Sequence, residues 1–302
     1  MSEILTLYYH RVNDLKNDYN LLAVIKENFK QQMLYLKKNY NIVRADDDWE
    51  SIDINSVCIT FDDGYRDFYL NVIPIINEIE IPVSIFVTGG IVEEIHEFWW
   101  DELEDYIFCN NENSHRFELI DDEYGYTFDM SSYAHQKDSY NSIHFMMKNL
   151  IDSKKRSRWL EQLRTWSKAE HRVDEIMNVG ELQEISHNPL ITIGAHTMTH
   201  PSLKTLSGEE QRSEIYRSIE TIGDIIQREV CVFSYPFGQK EFDFDTNTIA
   251  IVREHGVEKA FSTNSGTWTA GEGMYDIPRI CVRDWGLWEF KEKMNELWGK
   301  RQ

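Results

Sequence analysis

Two short stretches of the chain hold residues whose types and spacing suit hydrolytic chemistry. Thr60-Phe61-Asp62-Asp63-Gly64-Tyr65 sets two adjacent carboxylates at the end of an apolar run, and His196-Thr197-Met198-Thr199-His200 sets two imidazoles four positions apart. A borderline divalent ion takes nitrogen and carboxylate ligands and keeps at least one position open. Water activated at such an ion needs a base to accept its proton as it attacks. One Asp with two His supplies the ligands, and the second Asp supplies the base. Taken singly, each motif is weak. Asp-Asp-Gly is a common solvated turn, and a His pair at i, i+4 also arises incidentally on a helix face.

The elements around them give the pair more weight. Val57-Cys58-Ile59-Thr60-Phe61 reads as a buried strand, with Gly64 permitting a sharp turn behind it. Ile191-Thr192-Ile193-Gly194-Ala195 reads as a strand that delivers His196 directly. Further strands are expected at Ile4–Tyr9, Val83–Thr88, Val230–Tyr235, Lys259–Thr263 and Ile277–Val282, besides Ser56–Phe61 and Ile191–Ala195. Amphipathic stretches at Glu27–Lys38, Tyr69–Glu78, Gly208–Arg228 and Thr246–His255 lie between them. The pattern predicts an α/β fold, a distorted or incomplete (β/α) barrel of about seven parallel strands. His10, Asp62, Asp63, His196 and Tyr235 all fall at C-terminal strand ends, the face that carries active sites in such barrels. From about Glu97 to Gly180 the rhythm breaks into Asn/Asp-rich turns and a helix around Ser142–Lys168. This reads as a mostly helical insertion within a single 1–302 catalytic domain.

The bulk numbers exclude some functions. The 302 residues are 41% apolar and 13% aromatic, enough for a sizeable core, and the net charge is −21. Such a surface argues against sequence-independent nucleic-acid binding and against docking on anionic lipid. No run approaches the ~18 apolar residues of a membrane span. The first ten residues make a poor signal peptide, so a cytoplasmic location is expected. Cys58, Cys109, Cys231 and Cys281 lie far apart and read as free thiols.

On these residues the chain resembles the polysaccharide deacetylase family, the NodB-homology domain of carbohydrate esterase family 4. Thr60-Phe61-Asp62-Asp63-Gly64 matches the family's first motif and His196-Thr197-Met198-Thr199-His200-Pro201 its second. Ser234-Tyr235-Pro236-Phe237-Gly238 resembles the third, in a Y-P-F-G variant. The resemblance covers roughly residues 1–95 and 190–290. It implies that Asp63, His196 and His200 hold one divalent ion, Zn2+ first, with Co2+, Ni2+ or Fe2+ as alternatives. It implies Asp62 as the general base and the backbone N–H of Tyr235 as a donor to the oxyanion of the tetrahedral intermediate. Pro236 and Phe237 would border the substrate.

The chain also departs from the pattern. Many members carry a late L-x-H whose His protonates the leaving amine, and no His follows His255 here. His255 itself, before Gly256, reads as a helix end. His10, in Tyr8-Tyr9-His10-Arg11-Val12, is the substitute acid, against an equally weighted structural role. The Arg that precedes the third motif in classical members is absent, and Arg279 could reach the base Asp from a neighbouring strand end. Asp284-Trp285 resembles a late motif lining the acetyl pocket. In the insertion, Trp99 and Trp100 could stack on a sugar ring or anchor a core, and Asp101 and Glu102 could meet substrate or cap a helix.

The expected function is metal-dependent hydrolysis of an N-acetyl group from an amino sugar, free, nucleotide-linked or lipid-linked. The alternatives are a deformylase or other small-amide hydrolase on the same fold, and a catalytically impaired carbohydrate-binding protein.

Overall fold

Seven short runs, most of them rich in β-branched and aromatic residues, pair side by side as parallel strands: β1 (Glu3–Tyr9), β2 (Ser56–Phe61), β3 (Val83–Val87), β4 (Ile191–Ala195), β5 (Val232–Ser234), β6 (Lys259–Phe261) and β7 (Arg279–Cys281). The computed structural model describes residues 2–15, 18–92, 98–109, 115–122, 124–150, 153–169, 172 and 175–299. The strand order is β6-β5-β4-β3-β2-β1-β7, and a parallel bridge from Phe261 to Ile277 brings the two edges together. The sheet is therefore a nearly closed barrel. Several strands are shorter than the apolar runs suggested, because the outermost residues of those runs leave the ladder.

Register decides where the polar residues emerge. Tyr9 lies opposite Phe61, Phe61 opposite Ile85, Val87 opposite Ala195, and Ala195 opposite Phe233. The residues that follow these positions, His10, Asp62 and His196 among them, come out on one rim. Alternation splits the buried side chains into two layers. Leu5, Leu7, Ile59, Ile85, Ile193 and Phe233 pack outward beneath the helices. Ile4, Cys58, Phe86, Val232 and Phe261 fill the lumen, with Trp49 and Trp268 beside them. Gly194 is required by this packing, since a Cβ there would fall 2.5 Å from the Phe86 ring and 2.7 Å from the Val232 carbonyl.

Around the barrel run α1 (Lys26–Asn39), α2 (Ile73–Ile79), and later α6 (Val179–Ser186), α7 (Gly208–Ile226), α8 (Thr246–Glu254) and α9 (Leu287–Gly299). The helix expected at Tyr69–Glu78 opens with a π turn at Phe68–Val72. Pro74 accounts for it, because its missing N–H interrupts the regular i→i−4 pattern.

The chain divides into two compact units, residues 1–93 with 176–302, and residues 94–175. The boundary expected at Glu97 lies outside the described residues. The second unit holds α3 (Trp99–Phe108), α4 (Tyr133–Lys148) and α5 (Ser153–Ser167), so two helices stand where a single one was expected around Ser142–Lys168. It also contains an unexpected hairpin, Arg116–Asp121 with Tyr124–Asp129, in which Phe117 and Leu119 alternate with exposed neighbours. The four cysteines are free thiols, and no helix among the described residues is long and apolar enough to cross a membrane.

Candidate active site

The two adjacent carboxylates are turned apart by the backbone. Asp62 extends the ladder through its N–H to the Tyr9 carbonyl at 3.0 Å, and Asp63 then takes a left-handed φ of 75° before Gly64 at 99°. A left-handed non-glycine residue costs about 1–3 kcal/mol and persists only where its surroundings hold it. Here the Asp63 carbonyl is held by Thr88 N–H at 3.0 Å. Asp62 consequently faces Arg279, while Asp63 faces the histidines.

His196 and His200 sit in a tight turn rather than on a helix face. Thr197 and His200 both have left-handed φ, 63° and 54°. The His200 N–H donates to Thr197 Oγ1 at 3.1 Å. His196 N–H donates to the Val87 carbonyl, and Gly89 and Gly90 donate to the carbonyls of Thr197 and Met198. The Glu214 carboxylate on α7 accepts from the N–H of Met198 and from both the N–H and hydroxyl of Thr199. His196 Nδ1 is 2.7 Å from the Ser234 carbonyl. A carbonyl only accepts, so Nδ1 carries the hydrogen and the Nε2 lone pair points the other way, toward Asp63.

Asp63 Oδ1 is 3.4 Å from Nε2 of His196 and 3.4 Å from Nε2 of His200. The three ligand atoms lie within 4.8 Å of one another, and all three residues are buried. Two atoms each about 2.0–2.2 Å from a tetrahedrally held zinc lie about 3.3–3.6 Å apart. The spacing and donor set thus fit one borderline divalent ion. Burial drives His200 down to about 3, despite Asp63, which leaves it neutral and able to ligate. Burial alone would raise the Asp63 carboxyl, but His196, His200 and His10 hold it well below the usual range.

Beside this set, Arg279 grips Asp62 with both arms of its fork, Nη1 to Oδ1 at 2.8 Å and Nη2 to Oδ2 at 2.7 Å. The guanidinium is fully buried and is itself held by the Ser262 carbonyl, Ser234 Oγ and Thr60 Oγ1. It also lies 4.6 Å from the centroid of the Tyr8 ring. Burial pushes Asp62 up, and Arg279, with His196 and His10, brings it below its ordinary value. Asp62 is therefore an ionised carboxylate with a fixed direction.

His10 follows β1, half-buried, with its ring edge-on to Tyr8 at 5.5 Å. Burial lowers its pKa even though the charges of Asp63 and Asp62 favour protonation. Tyr235 departs from expectation. Its N–H donates to the Phe261 carbonyl at 3.1 Å, a rung of the β5–β6 ladder. Its ring stacks on Phe244 at 3.8 Å, and its hydroxyl donates to the Tyr275 carbonyl. Tyr235 is thus committed to the fold. Pro236 is buried and has no N–H, so the next backbone donor is at Phe237, whose φ is 58° and whose ring meets His200 edge-on at 4.8 Å.

Trp285 is half-buried, 6.5 Å from Phe290, and its carbonyl accepts from Gln32. Asp284 accepts from the N–H of Ile25 and the side chain of Asn28 at the start of α1. In the second unit Trp99 and Trp100 are both buried, in keeping with the core-anchor alternative of their reading. Phe98 stacks on Trp100 at 4.5 Å, and His144 and Arg156 cover Trp99. Asp101 is buried too, within reach of Arg172. His255 ends α8 and stacks on Tyr216 at 4.2 Å.

Ser234, Thr60 and Glu214 were not foreseen. Ser234 is the hub, since its carbonyl orients His196 and its hydroxyl accepts from Arg279. The usable signal was positional: Ser234 and Thr60 are polar residues inside otherwise apolar strands.

The profile of the family described as Polysaccharide deacetylase matches residues 51–116 and 136–260, more than half of the chain. A stretch of 92 residues is 26% identical to YxkH of Bacillus subtilis (strain 168), a protein assigned to the polysaccharide deacetylases; it covers 30% of this chain and 32% of YxkH. The match thus meets about a third of that relative's length. Among solved structures, the deacetylase PplD of Streptococcus pyogenes, in complex with acetate, superposes with a TM-score of 0.62 at 16% identity over 97% of this chain and 98% of its own. A polysaccharide deacetylase from Bacillus cereus does so at 0.62 and 16%, over 97% and 69%. A de-N-acetylase from Aggregatibacter actinomycetemcomitans gives 0.60 and 14%, over 96% and 99%. These superpositions concern the barrel fold.

Proposed function

Because the chain belongs to the polysaccharide deacetylase family, we propose that it is a metal-dependent hydrolase that removes the N-acetyl group of an amino sugar within a saccharide or glycan. The observation that carries this reading is the convergence of Asp63, His196 and His200 at ligand spacing beside an Asp62 clamped by Arg279. Asp63, His196 and His200 would hold the ion, most simply Zn2+. When bound, it polarises the amide carbonyl and lowers the pKa of water.

The remaining work falls to the chain's own groups. Asp62 takes the proton from the attacking water, and Arg279 keeps the carboxylate ionised and aimed. The N–H of Phe237, in the turn against His200, replaces Tyr235 as the donor to the developing oxyanion, a contribution of about 10²–10³ in rate. The leaving amine must be protonated. His10, held neutral by burial, serves as a relay that first collects the proton and then passes it on. All these residues belong to the barrel unit. The segment 94–175 interrupts that unit in sequence between β3 and β4, an insertion within one catalytic domain.

The test is metal content by elemental mass spectrometry, with acetate release from N-acetylglucosamine oligomers. About one ion per wild-type chain is expected, lost in Asp63→Ala and His200→Ala. Asp62→Asn should keep the ion and lose acetate release by a factor of about 10²–10⁴. A wild-type chain that takes up no ion after incubation with Zn2+, Co2+ or Ni2+ would refute the reading.

A further inference from the structure

The turn that carries the two histidines is bonded outward, and one side chain takes three of its donors. Glu214 Oε2 accepts from the N–H groups of Met198 and Thr199 at 3.0 and 2.9 Å, and Oε1 accepts from the Thr199 hydroxyl at 2.9 Å. Hydrogen bonds to an ionised carboxylate are the strong kind. α7 is a rigid seat for this group. A Ser207–Glu210 capping box closes its N-terminus, and Gln211, Ile215, Ser218, Ile219 and Ile222 are buried along it. The packing leaves no slack, since a Cβ at Gly89 would fall 2.8 Å from Met198 Sδ and 3.1 Å from Ser218 Cα. Glu209, Glu210, Glu220 and Asp224 on the same helix are exposed, whereas Glu214 is half-buried against the turn.

The turn itself is strained. Thr197 and His200 flank Met198 and Thr199 with left-handed φ values of 63° and 54°, conformations that two non-glycine residues keep only under external restraint. The Nε2 atoms of His196 and His200 reach the same Asp63 oxygen only while that turn keeps its shape.

We infer that Glu214 is a positioning residue: it holds the Met198–Thr199 turn so that His196 and His200 converge on Asp63. The inference rests on the proposed function only in taking that convergence to serve an ion. Removal of a group that orients metal ligands weakens metal affinity by a factor of about 10–100.

The test compares Glu214→Ala, Glu214→Gln and Ile222→Ala, the last a core truncation on the same helix. Zn2+ affinity is read by competition with a chelator, the visible spectrum of the Co2+-loaded protein reports ligand geometry, and hydrogen exchange at Met198 and Thr199 is followed without metal. Glu214→Ala is expected to bind Zn2+ about tenfold or more weakly, with an altered Co2+ spectrum and faster exchange at both amides. Glu214→Gln, which can still accept and donate across the turn, should restore most of all three. Ile222→Ala should lower the melting temperature yet leave affinity and spectrum as in the wild type. Glu214→Ala with the affinity and spectrum of Ile222→Ala would overturn the inference. If the wild-type chain binds no ion, the proposed function fails by itself. The exchange arm then decides: faster exchange in Glu214→Ala, reversed in Glu214→Gln, supports positioning, and unchanged exchange overturns it.

Discussion

Replacing Arg279 by Ala removes a fully buried guanidinium and five hydrogen bonds, two of them to Asp62. Asp62 is 3% exposed, so it is left as a buried charge without its partner. Breaking a buried pair in this way costs about 3–5 kcal/mol. The protein can relieve part of that by protonating Asp62. Without the guanidinium, burial is left to dominate and carries the carboxyl above its ordinary value. The sign of the stability effect follows. In the wild type Asp62 lies below its ordinary value, so its contribution is present above the unfolded pKa and is lost only as pH falls through the folded one. In Arg279→Ala the folded pKa lies above the unfolded one, and stability is lost as pH rises between them. The gap in unfolding free energy between the two proteins is therefore widest at neutral pH and narrows as pH falls through the variant's raised folded pKa.

The same shift appears in catalysis. Arg279→Ala should lose a factor of about 10²–10⁴ in kcat near neutrality, the usual contribution of a positioned base. Its pH–rate profile should show the acid limb of the base displaced to higher pH than in the wild type. Arg279→Lys keeps the charge but cannot span both carboxylate oxygens, and should fall between the two. In the Asp62→Asn background the Arg279→Ala change should add little further loss, because both residues act through one proton transfer. Urea titrations at pH 4 and 7 and acetate-release rates across pH check each part. Wild-type kcat in Arg279→Ala, or fully additive losses in the double variant, would refute the reasoning.

His10→Ala should lower kcat by a factor of about 10² or more, the low end for a lost proton relay, while metal content stays at one ion per chain. Unchanged turnover would remove His10 from the reaction. Tyr235→Phe deletes the hydroxyl bond to the Tyr275 carbonyl and should cost about 1–2 kcal/mol in urea unfolding. Its acetate-release rate should stay within about twofold of the wild type, since a structural side chain touches no substrate. A large rate loss without destabilisation would place the Tyr235 hydroxyl in the site.

What the sequence made legible was local chemistry placed on local pattern. Asp62, Asp63, His196 and His200 could be read because each follows directly on a buried strand, and strand ends in a parallel barrel share a rim. Arg279 was reachable from its place on a neighbouring strand, since Thr6 pairs with both Cys58 and Arg279 and so sets β7 two strands from β2. What escaped depended on partners that no short pattern reveals. Tyr235 sits in the expected motif, but whether its N–H is available is decided by the β5–β6 register that spends it on Phe261. Trp99 and Trp100 have the composition of a sugar platform, and only the arrival of Phe98, His144 and Arg156 shows them as a core. Glu214 is one acid among several on an amphipathic helix. It differs from the others only in facing the buried stripe of Gln211, Ile215 and Ser218, and in meeting a turn that cannot satisfy its own donors. The ligands were thus readable from their own positions, whereas the groups that aim them, Ser234 and Glu214, acquire meaning only when the barrel is assembled. Substitution of Arg279 should therefore spare the ion and lose turnover, whereas substitution of Glu214 should weaken the hold on the ion itself.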